Sequence, residues 1–235
     1  MTIKHKKNIL GTREYFKPFD YPWCYDVWLL HEQMHWMPTS VPLHEDVTDW
    51  NTKLNEKEKY FLTQIFRFFV QSDVDIAGGY IDNFLPLFKL PEIRMLLSSF
   101  AAREAIHIAA YSHLIETVGM PNTFYNEFLE FAEMKEKHDY LISHKTKGFP
   151  EQLAAFSMFA EGVSLFSSFI MLLNFTRHGK MKGMGKILAW SIADESLHCD
   201  TMIKLFKTYI HENKSLFNDE LKTKIYTIAT DIVDM

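Results

Sequence analysis

Two stretches of this sequence share the pattern Glu-x-x-His: residues 104–107 read Glu-Ala-Ile-His, and residues 195–198 read Glu-Ser-Leu-His. Both lie in long segments without proline, in which apolar residues recur at steps of three and four. That periodicity is typical of amphipathic α-helices. On a helix, a glutamate and a histidine three positions apart project from one face, one turn apart. Each stretch therefore predicts a helix with two potential metal ligands on one face.

Glycine and proline are scarce in this chain, with 9 Gly and 8 Pro among 235 residues. So few turn-forming residues predict long elements and disfavour a β-sandwich or barrel, which needs a turn about every ten residues. No strand-like alternation of polar and apolar residues competes with the helical pattern. We therefore predict an all-α fold, built as a helical bundle.

The charge and the cysteine content narrow the class of protein. A formal net charge of −5 without a basic stripe gives no reason to expect a nucleic-acid partner. Two cysteines, Cys24 and Cys199, cannot form a disulfide scaffold. The basic N-terminus lacks the apolar core of a secretory signal. We therefore expect a reducing environment and a cytoplasmic location.

Proline residues set an irregular N-terminal segment apart from a helical domain. Residues 1–50 are predicted to hold one short helix, from about Tyr25 to Trp36, packed on the bundle. Residues 51–235 contain no linker and are predicted to form a single domain, with Asn51 or Thr52 capping its first helix. A polar connection is expected at 135–148. Helices are expected near residues 55–85, 91–118, 121–135, 150–179, 184–210 and from 215 onward.

The stretch from Leu153 to Phe175 carries a single charged residue, Glu161. By length and hydrophobicity it is a candidate for a membrane span. A fully buried helix of a bundle explains the same composition, and the other predicted helices are amphipathic. We therefore favour a buried helix and expect no membrane association.

Four predicted helices carry acidic or histidine side chains on the apolar face that should be buried. An ionised carboxylate in a dry core costs several kcal/mol unless it is paired or bound to a metal. A pair of divalent metal ions would compensate all of these groups together, because carboxylates and neutral imidazoles are natural ligands for such ions. The candidate ligands are Asp73, Glu104, His107, Glu161, Glu195 and His198.

The spacing of the acids supports one shared site. Asp73 and Glu104 are 31 residues apart and flank the turn between Pro86 and Pro91, while Glu161 and Glu195 are 34 apart around Gly179. In each antiparallel hairpin the two acids therefore lie at the same height along the helix axes. A single Glu-x-x-His is usually a chance pattern on a solvated face. A lone acid followed by Glu-x-x-His, twice in one chain, resembles the ferritin-like di-iron carboxylate bundles.

Residues 31–35, His-Glu-Gln-Met-His, match the H-E-x-x-H signature of zinc proteases. That signature needs a helix that continues past the second histidine and a third ligand from elsewhere. Here Pro38 follows closely, and no extended ligand pattern is present. We interpret the motif as a chance match.

Tyr111 lies four positions after His107, on the same stripe of its helix. A tyrosine on an apolar stripe is most often an ordinary core residue. Beside a metal pair that can form a strong oxidant, its phenol is a candidate for one-electron oxidation. Leu165 and Phe169, one and two turns beyond Glu161, would shield such a radical from water.

At these residues the chain resembles the small, radical-generating subunit of class I ribonucleotide reductases. The resemblance runs through most of the chain and rests on four motifs. They are F-F-x-x-S-D at 68–73, A-x-R-E-x-I-H-x-x-x-Y at 101–111, A-E-G at 160–162 and D-E-x-x-H at 194–198.

The resemblance implies a role for each of these residues. The six candidate ligands would hold two iron ions per chain, with manganese as a possible alternative, and O₂ activation there would generate a stable radical at Tyr111. Trp36, hydrogen-bonded to Asp194 beside His107, would conduct electrons. The radical would pass to a cysteine of a separate large subunit, which reduces ribonucleotides to deoxyribonucleotides for DNA synthesis. A homodimer is also implied.

Two departures from the family pattern are visible. Ser191 stands where the family usually has an aliphatic residue, which would make the radical pocket more polar. The chain ends at Met235, where family members continue with further helices and a tail, so we expect the bundle to be truncated at its C-terminal end. Two alternatives stay open: another ferritin-like di-iron oxidase or oxygenase, and a non-catalytic iron-binding bundle.

Overall fold

A computed structural model describes residues 7–235, a range in which all regular secondary structure is helical. Residues 1–6 of the predicted N-terminal segment lie outside the described residues. The main helices are α1 (Pro22–Gln33), α2 (His44–Thr52), α3 (Glu56–Gly78), α4 (Pro91–Thr117), α5 (Ala132–His144), α6 (Phe149–Arg177), α7 (Lys182–Glu212) and α8 (Asp219–Asp234). The all-α prediction is therefore confirmed.

Four long helices form the bundle. Helix α3 packs against α4 and α6 packs against α7, while α3 also contacts α6 and α4 contacts α7. Short connections join the members of each pair, which makes them antiparallel neighbours. Helix α1 lies across α4, α2 packs on α7, and α8 packs on the middle of α6. The division into residues 1–50 and 51–235 stays a prediction.

The ends of the long helices follow from local chemistry. Asn55 accepts hydrogen bonds from two backbone N–H groups of α3, and the Glu58 carboxylate accepts one from the Asn55 backbone, which together form a capping box. The predicted cap at Asn51 or Thr52 is wrong, because both residues belong to α2. Gly179 adopts a left-handed backbone, with φ of 73°, just after α6 and thereby starts the turn into α7.

Two segments differ from the sequence-based expectation. Helix α1 ends at Gln33, three residues before its predicted end, so Trp36 lies beyond the helix. The helix predicted at 121–135 is wrong: residues Asn122–Glu130 form 3₁₀ turns, and α5 instead occupies most of the stretch expected to be a polar connection. Leu141 and His144 give α5 a buried side, and the many charged residues of this stretch line its exposed side.

Helix α6 is long and apolar enough to cross a membrane, with a mean hydropathy of 1.7 over its most apolar window. Length and composition do not separate such a span from the core helix of a bundle. Here α6 packs against α3 and α7, and its one central charge, Glu161, is completely buried among them. The structure therefore gives this helix a place in the bundle core.

Candidate metal centre

The six residues predicted as metal ligands meet in the middle of the bundle. Helix α3 supplies Asp73, α4 supplies Glu104 and His107, α6 supplies Glu161, and α7 supplies the remaining pair. Each of the six side chains is at most 1% exposed. The equal heights predicted from the hairpin spacing therefore correspond to one buried cluster of carboxylates and imidazoles.

The cluster divides into two groups with ligand geometry. In each group, every residue offers one ligand atom, and these atoms lie within 4.8 Å of one another. The first group consists of Asp73, Glu104 and His107. The second group consists of Glu104, Glu161, Glu195 and His198. Glu104 is therefore common to both groups of candidate ligands.

Two glutamates span the space between the two histidines. Oε1 of Glu104 lies 2.9 Å from Nδ1 of His198, and its Oε2 lies 3.4 Å from Nδ1 of His107. Glu195 mirrors this arrangement, with Oε1 at 3.0 Å from Nδ1 of His107 and Oε2 at 3.4 Å from Nδ1 of His198. Both histidines therefore turn Nδ1 toward the carboxylates.

The donor atoms of the cluster lack protein partners. Among the described residues, twelve buried side-chain nitrogen or oxygen atoms have no hydrogen bond, and nine of them belong to the six predicted ligands. Buried polar atoms are almost always satisfied, so such a concentration needs an explanation. Carboxylate oxygens and imidazole nitrogens are the donors that iron and manganese ions accept. The residues present therefore fit a pair of such ions.

A second layer of polar residues surrounds His107. Its Nε2 lies 3.1 Å from Oδ2 of Asp194, which also accepts a hydrogen bond of 2.8 Å from the indole N–H of Trp36. Arg103 donates to the other oxygen of Asp194 at 2.7 Å. The rings of Trp36 and His107 stack with centroids 5.8 Å apart. The structure thus brings together the three residues expected to form the electron path.

A family of known proteins matches almost the whole chain. The sequence model described as "Ribonucleotide reductase, small chain" matches residues 13–235. The chain belongs to the ribonucleotide reductase small-chain family. Members of this family are subunits of an oxidoreductase that also contains a large subunit.

Individual members of the small-chain family agree with this assignment. A probable ribonucleoside-diphosphate reductase small subunit of Invertebrate iridescent virus 3 is 50% identical over 255 residues, which covers 100% of this chain and 68% of the relative. The corresponding protein of Invertebrate iridescent virus 6 is 45% identical over 249 residues, or 97% of this chain and 69% of the relative. The chain thus spans about two thirds of the length of these relatives.

The chain shares its fold with a small chain of known structure. A ribonucleotide reductase R2 subunit from Clostridium botulinum superposes with a TM-score of 0.85 at 22% identity, covering 92% of this chain and 70% of that chain. The ferritin-like bundle expected from the two Glu-x-x-His motifs is therefore confirmed.

The tyrosine expected to carry the radical is fully enclosed in this small chain. Tyr111 is 2% exposed, and its ring packs against Phe69 at 5.1 Å between centroids. Phe69 in turn stacks on Phe169 at 4.9 Å, and Leu165 is also buried. Burial raises the pKa of Tyr111 well above its usual range, and the negative charge of Asp73 adds to this. Ser191 is also completely buried, and its hydroxyl is one of the described polar atoms without a hydrogen-bond partner.

The electrostatics of the cluster follow from burial and from the mutual contacts of its members. Burial raises the pKa of Glu161 and of Asp73 well above the usual range, and neighbouring carboxylates raise both further. Burial alone would lower the pKa of His198, but the Glu104 and Glu195 carboxylates close to its Nδ1 outweigh burial and raise this pKa to about 10. In the metal-free protein, bound protons therefore supply the positive charge that balances the carboxylates.

Two interacting residues of the small chain were not expected from the sequence. Both lie outside the Glu-x-x-His pattern. Tyr80 is completely buried and donates a hydrogen bond of 2.9 Å to Oε1 of Glu161. His31 is also completely buried, and its Nε2 lies 3.1 Å from Nε2 of His198. Tyr80 continues the apolar stripe of α3 one turn beyond Ile76. This spacing is the sequence signal that could have placed its side chain near the cluster.

Both Tyr80 and Glu161 lie in π-helical segments. Residues Gly79–Phe84 prolong α3 as a π-helix, and residues Ala154–Leu165 form a π-helical segment inside α6. The two segments approach closely, because a Cβ atom on Gly79 would lie 3.0 Å from the ring of Phe156. Such segments are rare and occur frequently at functional sites. Periodicity in the sequence did not indicate them.

Proposed function

We propose that this chain is the radical-generating small subunit of a ribonucleotide reductase, with a dinuclear metal centre held by the six clustered residues and a radical at Tyr111. The observation that carries the proposal is the concentration of unpartnered ligand atoms in the core, one helical turn from a fully buried tyrosine. Iron is the metal we propose first, and manganese fits the same donor set.

The residues of the cluster have distinct proposed roles. When bound, a pair of such ions would supply the redox chemistry for the reduction of O₂. Glu104 and Glu195, which approach both histidines, would hold the ions together with the two histidines, and Asp73 and Glu161 would complete the ligand set. The cluster is closed off from bulk solvent, because each of the six side chains is at most 1% exposed.

Tyr111 would lose its proton together with its electron. Burial disfavours a charged phenol, so the O–H proton has to move to a neighbouring polar group as the electron leaves. Among the neighbouring charged groups, Asp73 acts most strongly on this phenol, and it is the candidate to accept the proton. Phe69 packs against the ring and Phe169 stacks on Phe69, and together they would protect the radical.

Trp36, Asp194 and His107 form the proposed electron path. The indole N–H and the imidazole share one oxygen of Asp194, which gives a continuous hydrogen-bonded connection to the centre. The hydrogen bond and the charge of His107 do most to hold the pKa of Asp194 at about 2 despite burial, and Trp36 and the charge of Arg103 add to this effect. An extra electron for O₂ reduction would arrive by this route.

The proposed partner reaction takes place on another polypeptide. The radical would pass to a cysteine of the large subunit, where ribonucleotides are reduced to deoxyribonucleotides. We also propose that the small chain acts as a homodimer in the cytoplasm, as the resemblance to the family implies. It would act neither on nucleic acid nor at a membrane.

An EPR experiment tests this proposal. The protein is loaded anaerobically with two equivalents of Fe(II) and exposed to O₂, and the spectrum and the bound iron are measured. We expect a tyrosyl signal in the wild type that disappears in Tyr111→Phe and persists in Tyr125→Phe. Tyr125 is a suitable control because its hydroxyl pairs with Ser112, outside the cluster.

Three results would contradict the proposal in different ways. Two bound iron ions without a radical in the wild type would point to another di-iron oxidase. Iron uptake far beyond two per chain would point to storage. No metal binding would exclude the dinuclear centre itself. Loading with Mn(II) in parallel identifies the metal that the site prefers.

A further inference from the structure

The two histidines of the cluster have different partners on their outer side. His107 turns Nε2 to a carboxylate, Oδ2 of Asp194, whereas His198 turns Nε2 to another imidazole, Nε2 of His31, at 3.1 Å. His31 belongs to the His-Glu-Gln-Met-His stretch that resembled a zinc-protease signature. It lies in α1, 167 residues away from His198 in the sequence.

A chain of hydrogen bonds continues from His31 to the surface of the protein. Nδ1 of His31 lies 2.6 Å from the hydroxyl of Ser99, and that hydroxyl donates a hydrogen bond of 2.5 Å to Oε1 of Glu32. His31 is completely buried, Ser99 is 9% exposed, and Glu32 is exposed. The hydrogen-bond chain therefore begins at His31 and ends at Glu32, the first two residues of the H-E-x-x-H stretch.

The carboxylate at the outer end fixes the direction of every bond. Because ionised Glu32 can only accept, the Ser99 hydroxyl must donate to it and accept from Nδ1 of His31. With its proton on Nδ1, neutral His31 presents a lone pair at Nε2, which accepts the proton of His198 Nε2. Neutral His198 therefore carries its lone pair on Nδ1, the nitrogen that faces the carboxylates.

Packing holds His31 in this position. The ring of Phe100 lies against both imidazoles, with its centroid 4.1 Å from His198 and 5.0 Å from His31. Arg103 donates a hydrogen bond of 3.1 Å to the carbonyl oxygen of His31 and also pairs with Asp194. The outer partners of both predicted ligand histidines are therefore attached to one arginine.

We propose that His31 is a positioning residue for the metal centre: through Ser99 and Glu32 it fixes the tautomer and the ring orientation of His198, so that Nδ1 binds the second ion. This inference rests on the proposed dinuclear centre. Outer partners of this kind set ligand basicity and geometry, and their loss typically weakens metal binding about 10- to 100-fold.

Mn(II) titration of the purified protein, with free Mn(II) measured by EPR, tests the inference. We expect the wild type to bind two ions per chain. In His31→Leu, which removes the acceptor, one ion should keep its affinity and the other should bind about 10- to 100-fold more weakly. His31→Gln, which retains an acceptor and a donor, should restore most of the loss. His35→Leu alters the exposed histidine of the same stretch and should bind both ions as the wild type does.

Several outcomes separate this inference from the proposed centre. If the wild type binds no Mn(II), the centre itself is wrong. If the wild type binds two ions and His31→Leu binds both equally well, only the role of His31 is wrong. If His31→Gln and His31→Leu weaken Mn(II) binding equally, the packing of the imidazole and not its hydrogen bond controls the affinity. Ser99→Ala gives an independent check, because it leaves the imidazole of His31 in place but cuts its connection to Glu32, and it should weaken binding of the same ion.

Discussion

The indole N–H of Trp36 donates a hydrogen bond of 2.8 Å to Oδ2 of Asp194. The two residues are 158 positions apart, and Trp36 lies in the irregular segment after α1 rather than in the bundle. The same carboxylate oxygen is also hydrogen-bonded to His107, so it links the N-terminal segment to the cluster. An electron that enters through the indole therefore needs no solvent-exposed step to reach the centre.

Replacement of Trp36 by Phe should lower the radical yield and leave the metal content unchanged. Phenylalanine is far harder to oxidise than tryptophan and cannot donate to Asp194, so the extra electron would arrive slowly. Radical per chain by EPR and bound iron by elemental analysis should be compared with Trp50→Phe. Trp50 is also buried but lies in α2. Equal radical yields in both variants would show that electrons use another route.

Replacement of Tyr80 by Phe should weaken the binding of one metal ion and preserve the radical. Glu161 would lose its hydrogen bond to the phenol and with it a constraint on carboxylate orientation, which we expect to cost about tenfold in affinity. Mn(II) titration measures the affinity, and EPR after iron loading measures the radical. Tyr209→Phe serves as control, because this tyrosine packs on Phe149. Loss of the radical with both ions still bound would assign the radical to Tyr80 instead.

Metal binding should release protons, and metal-free protein should lose stability as the pH rises. In the folded metal-free state the pKa of His198 is raised from 6.5 to about 10, so its protonation stabilises the fold fully below pH 6.5. That contribution disappears as the pH approaches 10. Bound ions replace these protons.

Thermal unfolding between pH 6.5 and 10 checks this pH dependence. The melting temperature of the metal-free protein should fall over this range by more than that of the metal-loaded protein. Calorimetric Mn(II) titration in two buffers with different ionisation enthalpies counts the released protons. A metal-free protein whose stability does not decrease with pH would contradict the protonated cluster.

Replacement of Arg103 by Met should destabilise the protein by about 3 to 5 kcal/mol, because it removes the arginine partner of the buried Asp194 carboxylate. The loss is measured by urea unfolding of the metal-free protein. Lys222→Met removes an exposed ion pair with Asp219 and should change stability by less than about 0.5 kcal/mol. Equal effects of the two substitutions would show that Arg103 is not needed to balance Asp194.

Prediction from the sequence succeeded where the relevant residues repeat along one helix. The positions of Asp73, Glu104 and Glu161 were found because helical periodicity and hairpin spacing place side chains at known heights. It failed for α5, where a run of charged residues suggested a connection although Leu141 supplies a buried contact. The cap of α3 was placed too early, since α2 was not anticipated and Asn55 has the capping geometry.

The sequence by itself determined the helical bundle, the six clustered residues and the tyrosine beside them, because these depend on spacing within single helices and hairpins. Only the tertiary structure decided which groups surround the cluster. The contacts of His31 with His198 and of Tyr80 with Glu161 join residues 167 and 81 positions apart. They depend on how α1 packs against α4 and α7 and on how two π-helical segments approach each other. Neither this packing nor the change of helical pitch leaves a periodic signal in the chain.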